Sequence, residues 1–388
     1  MMNKLTVKDI DLKGKRVIVR VDFNVPLDEK LNVTDDRRIR EALPTIKYIL
    51  DQKVKKVILM SHLGRPEGKI VDSMRLTPVA KRLEELLKEK VLKLDDCIGE
   101  TVRKAIEKSS ERIVLLENLR FHKEETKNDL GFAKELASLA DIYVNDAFGT
   151  AHRAHASTEG ITQYLISAAG FLIEKEISYL GQAIGNPKRP FVVILGGAKV
   201  SDKILLIENL ISKADAIIIG GGMAYTFLKA QGKSIGKSIC ENDKLDLAKG
   251  LLAKAKAAGV KIALTEDFVI VESFDKPQGR KIVTAIPDGW EGVDIGPATR
   301  GKYKEILSTA KTVVWNGPVG YFEGGFERGT MAIAQAIVES GAYSVVGGGE
   351  TTEFLGSKGL LDRFSFVSSG GGAMLEFLAG KELPGIMA

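Results

Sequence analysis

The feature that most constrains the fold of this chain is an alternation of short β-branched runs with segments of helical spacing. Such alternation is typical of βαβ units, and it predicts mostly parallel sheets with helices on their faces. The chain has 388 residues, more than the roughly 250 to 300 at which a single hydrophobic core stops growing. We therefore predict an α/β fold with two Rossmann-like domains, each built on a parallel sheet, joined by an interdomain helix and a hinge.

The strands predicted in the first half are followed by basic and polar side chains. These strands begin at Arg16, Lys55, Arg112 and Asp141. Open parallel sheets bind ligands beyond the carboxyl ends of their strands. The side chains found there are Asp22, Asn24, His62, Arg65, Arg120, His122, His152 and Arg153. The first half therefore predicts a cationic pocket for an anionic ligand.

The strands predicted in the second half run into glycines instead. Five apolar runs, FVVIL, AIIIG, TVVWN, SVV and FSFVSS, lead into glycine-rich turns at 196–197, 221–222, 317, 347–349 and 370–372. Glycine lets backbone N–H groups approach a ligand closely, and helix N-termini attract phosphate. One such turn is usually structural, but five in one half predict a nucleotide platform.

Helical spacing from Gln163 to Ala183 indicates the helix between the domains. The tail after the last glycine turn is expected to return to the first domain. The predicted divisions are a first domain at 1–165, the interdomain helix at 166–183, a second domain at 184–368, and a hinge and tail at 369–388.

Composition excludes several classes of function. The 56 Lys+Arg against 51 Asp+Glu give a net charge of +5, too small and too dispersed for nucleic-acid binding. Cys97 and Cys240 lie far apart without a CxxC pattern, so we expect free thiols, buried or half-buried, and neither disulfides nor a zinc site. No signal-peptide pattern or membrane-length apolar run is apparent. We expect a soluble, cytoplasmic protein.

Two local patterns imitate phosphate and metal sites. GKSIGKS at 232–238 resembles a P-loop, but it follows a helical segment and Gln231 occupies the position of the first glycine. His152 and His155 have no third ligand at a suitable spacing. Because no GxGxxG follows a predicted strand, a nicotinamide-dependent dehydrogenase has little support.

Seven sequence blocks together resemble those of phosphoglycerate kinases. They occur in that family's order and extend over nearly the whole chain. The blocks are RVDFNVP (20–26), SHLGRP (61–66), LLENLRFH (115–122), NDAFGTAHRAHAS (145–157), GGAKVSDK (196–203), VVWNGPVG (313–320) and SGGGAMLEFL (369–378).

The resemblance implies that the first domain binds the triose, 1,3-bisphosphoglycerate or 3-phosphoglycerate. A small polyol with a carboxylate and a phosphate needs several planar, bidentate donors, which arginine supplies. The implied substrate-binding residues are Asp22, Phe23, Asn24, Arg38, His62, Leu63, Gly64, Arg65, Arg120 and Arg153.

The resemblance also implies that the second domain binds ADP or ATP. The implied nucleotide-binding residues are Gly197, Lys199, Lys203, Gly221, Gly222, Gly292, Asn316, Pro318, Glu323, Gly348, Gly349, Glu350 and Thr351. The residues expected to act on the transferred phosphoryl group are Arg38, Lys199, Lys203, Gly349, Gly371 and Gly372.

Glu350 departs from the family pattern, which has aspartate as the magnesium ligand at this position. Glutamate keeps the carboxylate but adds a methylene, and Mg²⁺ requires near-octahedral geometry. A role for Glu350 in holding Mg²⁺ is therefore a hypothesis, and the alternative is a solvent-facing carboxylate in a turn. Ser369 stands where the family usually has threonine.

The activity implied is reversible, in-line phosphoryl transfer from 1,3-bisphosphoglycerate to Mg·ADP by a monomer that closes about a hinge. No constellation for covalent catalysis is apparent, and phosphoryl transfer does not need one because positioning and charge stabilisation suffice. The alternative is a non-catalytic nucleotide or phosphate sensor on the same fold.

Overall fold

The structure of the chain, a computed structural model, describes residues 4–274 and 277–388. These divide into two compact units. The first comprises the residues up to Ser178 together with Glu382–Ala388, and the second comprises Tyr179–Lys381. Each unit is built around its own six-stranded sheet.

The first unit contains a six-stranded parallel sheet with the strand order β3-β4-β2-β1-β5-β6. Its strands are β1 (Arg16–Val21), β2 (Lys56–Met60), β3 (Val91–Lys93), β4 (Ile113–Leu115), β5 (Ile142–Asp146) and β6 (Ile166–Ala169). Its helices are α1 (Arg37–Asp51), α2 (Thr77–Leu87), α3 (Glu100–Lys108), α4 (Lys123–Thr126) and α5 (Leu130–Ala137), followed by α6 (Phe171–Gly185), which continues into the second unit. Apolar clusters bury both faces of the sheet.

The second unit contains a six-stranded parallel sheet and a small antiparallel sheet. Its strands are β7 (Phe191–Leu195), β8 (Ala216–Ile219), β9 (Lys261–Ala263), β10 (Phe268–Val271), β11 (Lys281–Val283), β12 (Glu291–Ile295), β13 (Thr312–Asn316), β14 (Tyr343–Gly347) and β15 (Phe366–Val367). Its helices are α7 (Ile204–Ile211), α8 (Met223–Ala230), α9 (Leu245–Ala257), α10 (Pro297–Ser308), α11 (Arg328–Ser340), α12 (Gly349–Ser357) and α13 (Gly371–Leu378).

The strand order of the large sheet in the second unit is β15-β14-β13-β7-β8-β9, and that of the small one is β11-β10-β12. The large sheet has the doubly wound order of a Rossmann fold, with the reversal between β7 and β13. Ligands bind such sheets in the crevice at this reversal. In the first unit the order reverses between β1 and β5. The prediction of two Rossmann-like α/β domains is confirmed.

The helix predicted from Gln163 is wrong over its first residues. Ile166–Ala169 forms strand β6, which pairs with β5, and helix α6 begins only at Phe171. Asp146 at the end of β5 accepts a hydrogen bond from the amide of Leu172 at 2.9 Å. The first part of the segment is therefore an edge strand of the sheet, and the buried carboxyl group of Asp146 fixes the start of the helix.

The end of the chain belongs to the first unit through a short helix, α14 (Pro384–Met387). The amide of Gly385 donates to the carbonyl of Ala151 at 2.9 Å, and Asn145 donates to the carbonyl of Gly385 at 2.6 Å. Only the last seven residues, Glu382–Ala388, lie in this unit, whereas 369–381 lie in the second.

Both cysteines are free thiols, with Cys97 buried and Cys240 half-buried. Within the part of the chain that the structure describes, no helix has the length and apolarity needed to cross a bilayer.

Candidate active site

Polar groups from three strand ends meet at the carboxyl edge of the first sheet. Asp22, directly after β1, is buried and forms an ion pair with Arg38 in the first turn of α1. The side-chain oxygen of Asn24 accepts a hydrogen bond from the amide of Gly64 at 2.8 Å. The turn after β2 and the turn after β1 are therefore held together, and Arg38 keeps 37% of its side chain exposed for a ligand.

His62 is a neutral imidazole inside a group of arginines. Burial and the neighbouring charges of Arg20, Arg120 and Arg38 lower the pKa of His62 well below its usual value. Arg20 lies 3.2 Å from its Nδ1 and can only donate, so Nδ1 is the acceptor. The proton of the neutral ring is therefore on Nε2, which leaves His62 a hydrogen-bond donor.

Arg120 lies in a 3₁₀ turn, Leu119–Phe121, after β4. Its Nη1 donates to the carbonyl of Gly64 at 2.9 Å. Burial lowers the pKa of Arg120 to about 10, with Arg20 and Arg153 adding to the shift, so the side chain stays charged at neutral pH. Its buried Nε has no acceptor within residues 4–274 and 277–388. A buried charged donor without an acceptor is costly, and an anionic ligand would supply one.

The remaining predicted triose residues differ in their exposure. Arg65 and Arg153 are exposed. Leu63 is buried, and its amide and carbonyl bond to the side chain of Asn118 at 3.2 and 2.7 Å. Phe23 is fully buried, and its amide donates to Ser61 at 2.8 Å. Its side chain therefore lies in the core, and only its backbone belongs to the turn.

Sequence reasoning missed the buried groups behind this cluster. The Nε of Arg20 donates to Ser157 at 2.9 Å, and the hydroxyl of Ser157 donates to Glu125 at 2.6 Å. Burial opposes ionisation of Glu125, but the nearby imidazole of His155, 3.6 Å away, the charge of Arg20 and the hydrogen bonds from Ser157 lower its pKa overall. An arginine inside the apolar strand RVIVRV was the available signal, since a fully buried charge must be paired.

In the second unit, the turns after β7, β8 and β13 approach one another through their backbones. A Cβ added at Gly196 would lie 2.0 Å from the carbonyl oxygen of Pro318, and one at Gly221 would lie 2.8 Å from the amide of Gly197. Gly221 also has φ +65°, a conformation that favours glycine. The five predicted turns thus include three that need glycine to bring backbone groups to one place.

Lys203 is buried beside the end of β13. Its Nζ donates to the side-chain oxygen of Asn316 at 2.7 Å and lies 3.3 Å from the backbone oxygen of the same residue. Burial lowers the pKa of Lys203 to about 8, whereas the charge of Glu350 opposes the shift. Lys199 is exposed and makes no hydrogen bond or ion pair with any residue that the structure describes. One lysine is thus fixed, and the other projects into solvent.

Two helices begin side by side at the glycine turns that follow β14 and β15. A Cβ at Gly371, the first residue of α13, would lie 3.6 Å from the Cα of Gly348, which precedes α12. The first amides of a helix have no partner inside it, so a helix N-terminus binds anions. Gly349 and Gly372 are exposed there, and this pair of N-termini can therefore hold phosphate oxygens.

Glu350 is the second residue of α12 and is exposed. Its neighbour Thr351 is fully buried and accepts a hydrogen bond from the amide of Gly317 at 2.9 Å. The side chain of Thr351 therefore supports the turn after β13, while that of Glu350 is free to meet a cation.

Three further residues predicted to bind the nucleotide, Gly292, Glu323 and Gly222, lie within β12, after β13 and after β8. Gly292 lies within β12, where a Cβ would meet the hydroxyl of Tyr225 at 2.1 Å. Glu323 is exposed in a 3₁₀ turn, Phe322–Gly324, and the preceding Tyr321 donates from its amide to Val293 at 2.8 Å. Gly222 is half-buried, and a Cβ there would lie 2.7 Å from Ile239.

These features define a two-domain α/β kinase. The second unit has a doubly wound sheet with a buried lysine, glycine turns and paired helix N-termini, and the first unit has a sheet with a cationic edge. The chain belongs to the phosphoglycerate kinase family, whose model matches residues 7–381. The resemblance carried by the seven sequence blocks is thereby confirmed.

Individual relatives are similar to this chain over nearly their full lengths. Phosphoglycerate kinase of Moorella thermoacetica is 56% identical over 392 residues, covering 100% of this chain and 99% of the relative. That of Dictyoglomus turgidum is 57% identical over 387 residues, covering 98% of this chain and 97% of the relative. The solved phosphoglycerate kinase of Coxiella burnetii has a TM-score of 0.87 at 43% identity, covering 99% of this chain and 98% of the other.

Proposed function

We propose that this chain catalyses the reversible transfer of the acyl phosphoryl group of 1,3-bisphosphoglycerate to ADP, giving 3-phosphoglycerate and ATP. The observation that carries the proposal is the cationic edge of the first sheet, where the buried Nε of Arg120 lacks an acceptor among the described residues. Family membership over residues 7–381 supports the same activity, and it does not favour a sensor without catalysis.

The triose occupies the cationic edge in this proposal. Arg120, Arg65 and Arg153 pair with its carboxylate and phosphate, since a guanidinium binds such groups bidentately. Neutral His62 donates from Nε2, and Asp22 with Asn24 receives the hydroxyl. Arg38 is half-exposed at the start of α1, and it contacts the phosphoryl group that is transferred.

The nucleotide occupies the carboxyl edge of the second sheet. The base and ribose lie along Gly221, Gly222, Gly292 and Glu323, and Pro318 and Asn316 border the phosphates. Phosphate oxygens are bound by Lys203 and by the amides at Gly349, Gly371 and Gly372. The exposed Lys199 contacts the phosphoryl group during its transfer. The depressed pKa of Lys203, about 8, means that phosphate binding also favours its charged form.

The residues around Glu350 fit a hard cation. The side chain offers carboxylate oxygen, the ligand type that Mg²⁺ prefers, and it carries negative charge where phosphates are proposed to bind. A bound Mg²⁺ would neutralise phosphate charge and so lower the repulsion between donor and acceptor. Glu350 and the nucleotide phosphates would hold it.

Transfer needs no covalent intermediate on the protein. The attacking β-phosphate oxygen of ADP and the leaving carboxylate of the triose lie in line, and the charge of the moving phosphoryl group is shared by Arg38, Lys199 and the helix amides. We propose that binding of both ligands closes the two units about a hinge, because exclusion of water protects the acyl phosphate.

A coupled assay for ATP formation from ADP and 1,3-bisphosphoglycerate tests the proposal. We expect activity in the wild type and its loss in Arg120→Ala. Arg112→Ala is the matched control, because Arg112 pairs with Glu89 at the opposite, amino end of β4. If the chain bound Mg·ADP but formed no ATP, the kinase hypothesis would give way to the alternative, a non-catalytic nucleotide sensor.

We further propose that the enzyme is a cytoplasmic monomer acting on small molecules, without nucleic-acid or membrane partners. Free thiols at Cys97 and Cys240 suit a reducing compartment, and each unit has its own core. Light scattering during gel filtration, with 42.1 kDa expected for one chain, tests the oligomeric state.

A further inference from the structure

A thiol, an imidazole and a carboxylate come together in the first unit, and the proposed reaction gives none of the three a role. Asp96 and Cys97 follow β3, and His122 follows the turn that carries Arg120. Ligand atoms of all three side chains lie within 4.8 Å of one another, and His122 Nε2 is 2.7 Å from a carboxylate oxygen of Asp96.

The three groups differ in their access to solvent. Cys97 is fully buried, whereas 53% of the Asp96 side chain and 27% of the His122 side chain are exposed. An ion arriving from solvent would meet the carboxylate and the imidazole first, with the sulfur beneath them.

The donor set suits a borderline-soft divalent ion. Zn²⁺ takes thiolate, imidazole and carboxylate ligands in tetrahedral geometry, and bonds of about 2.0 to 2.3 Å place ligand atoms about 3.3 to 3.8 Å apart. The Asp96–His122 pair would open slightly, and the sulfur would approach the other ligand atoms by about 1.3 Å at most. Mg²⁺ is a poor match because it selects oxygen ligands.

The protein holds these side chains in place before any metal binds. The amide of Cys97 donates to a carboxylate oxygen of Asp96 at 2.7 Å, and the backbone oxygen of Asp96 accepts from the amide of Glu117 at 3.3 Å. The ring of His122 packs against that of Phe132 with centroids 5.3 Å apart. Fixed ligands lose little freedom when an ion binds.

We propose that Asp96, Cys97 and His122 form a binding site for Zn²⁺ or a similar transition-metal ion, with water in the fourth position. The incoming ion displaces the proton of the Cys97 thiol, and also that of His122 when the imidazole is protonated. Affinity therefore rises with pH, and binding releases protons to the buffer.

Cobalt titration of the full-length protein tests the site. Co²⁺ bound by thiolate gives a charge-transfer absorption band that oxygen and nitrogen ligands do not give. We expect the band in the wild type and in Cys240→Ser, the matched control because the chain has only two cysteines. We expect no band in Cys97→Ser. Excess Mg²⁺ should leave the band unchanged, which separates this site from Glu350.

Variants of the two solvent-exposed ligands, His122 and Asp96, keep the test valid if Cys97→Ser is destabilised. His122→Gln and Asp96→Asn should each weaken Zn²⁺ binding at least about tenfold in competition with a chromophoric chelator, since loss of even an outer partner weakens metal sites about 10- to 100-fold. A wild type without the band would overturn the proposal. The proposal would also be overturned if the band survived in folded Cys97→Ser, or if His122→Gln and Asp96→Asn both bound Zn²⁺ with unchanged affinity.

Discussion

At the scale of single residues, Arg38 combines an ion pair with an exposed guanidinium. Asp22 holds one side of it, and 37% of the side chain remains accessible. A group fixed in this way can be oriented toward a charge that develops only during transfer, and such an interaction raises kcat more than it lowers KM.

We predict that Arg38→Ala lowers kcat with little change in KM. Loss of one preorganised charge-stabilising group costs about 2.7 to 4 kcal/mol of transition-state stabilisation. Steady-state kinetics measures the effect. Arg65→Ala is the comparison, because Arg65 is exposed without an ion pair in the described chain, and its loss should raise the KM for the triose. An Arg38→Ala enzyme with altered KM alone would contradict the transition-state role.

For Glu350 the prediction concerns magnesium. Glu350→Gln should raise the Mg²⁺ concentration needed for half-maximal activity, because the amide loses the charge that binds the ion, while Glu350→Asp should remain active. Glu353→Gln is the control, since Glu353 is exposed one turn further along α12. Equal Mg²⁺ dependence in both Gln variants would make Glu350 an ordinary surface carboxylate.

At the scale of secondary-structure elements, the turn after β8 depends on glycine for two separate reasons. Gly221 has φ +65°, and a Cβ there would meet backbone atoms of Gly197 at 2.8 Å. Gly359 has nearly the same φ, +64°, but open space around it.

We predict that Gly359→Ala costs about 1 to 2 kcal/mol of stability, the price of a left-handed residue, and leaves nucleotide affinity unchanged. Gly221→Ala should be more destabilising and should weaken ADP binding, because backbone at the nucleotide turn must shift. Urea unfolding and calorimetric titration with ADP measure the two effects. Identical behaviour of the two variants would mean that the close approach has no role.

The start of helix α6 provides a prediction about pH. Burial raises the pKa of Asp146 to about 7 from an ordinary 3.8, although Thr45 and the amides of Leu172 and Ile173 oppose the shift. Between these values the native state holds a proton that the unfolded chain has lost. The stability contributed by Asp146 is therefore full below about pH 4 and is lost as pH rises to about 7.

Asp146→Asn keeps the acceptor for Leu172 but cannot ionise, so we expect it to gain stability relative to the wild type between pH 5 and 8, by on the order of 1 to 3 kcal/mol. Thermal unfolding across this range measures it. Asp141→Asn is the control: Arg16 lowers the pKa of Asp141, so its titration lies below pH 4 and its profile should parallel the wild type. If the stability of Asp146→Asn varied with pH in parallel with that of the wild type, Asp146 would not be protonated in the native state.

At the scale of the whole molecule, the residues proposed to bind the triose and those proposed to bind the nucleotide belong to different compact units. We predict that full closure requires both ligands, because each ligand alone contacts groups of one unit and has little differential affinity for a closed state. Small-angle scattering should show the greatest compaction with 3-phosphoglycerate and ATP together. Full compaction with nucleotide alone would contradict two-site closure.

Local sequence determined the two parallel sheets and the residues at their carboxyl ends. Strands such as Phe191–Leu195 and Thr312–Asn316 have the predicted limits, because a fully buried parallel strand needs an unbroken apolar run that ends in a turn residue. The same pattern predicted a cationic edge in one half and glycine turns in the other.

Only the tertiary structure decided which distant residues meet. Ile166–Ala169 became a strand because β5 offered hydrogen-bonding partners, and a short segment follows its neighbours more than its own propensity. Arg20 meets Ser157 from 137 residues away, and His122 meets Asp96 from 26 away. Periodicity reports which face of an element is buried, whereas packing of elements far apart in sequence decides which polar groups share that burial.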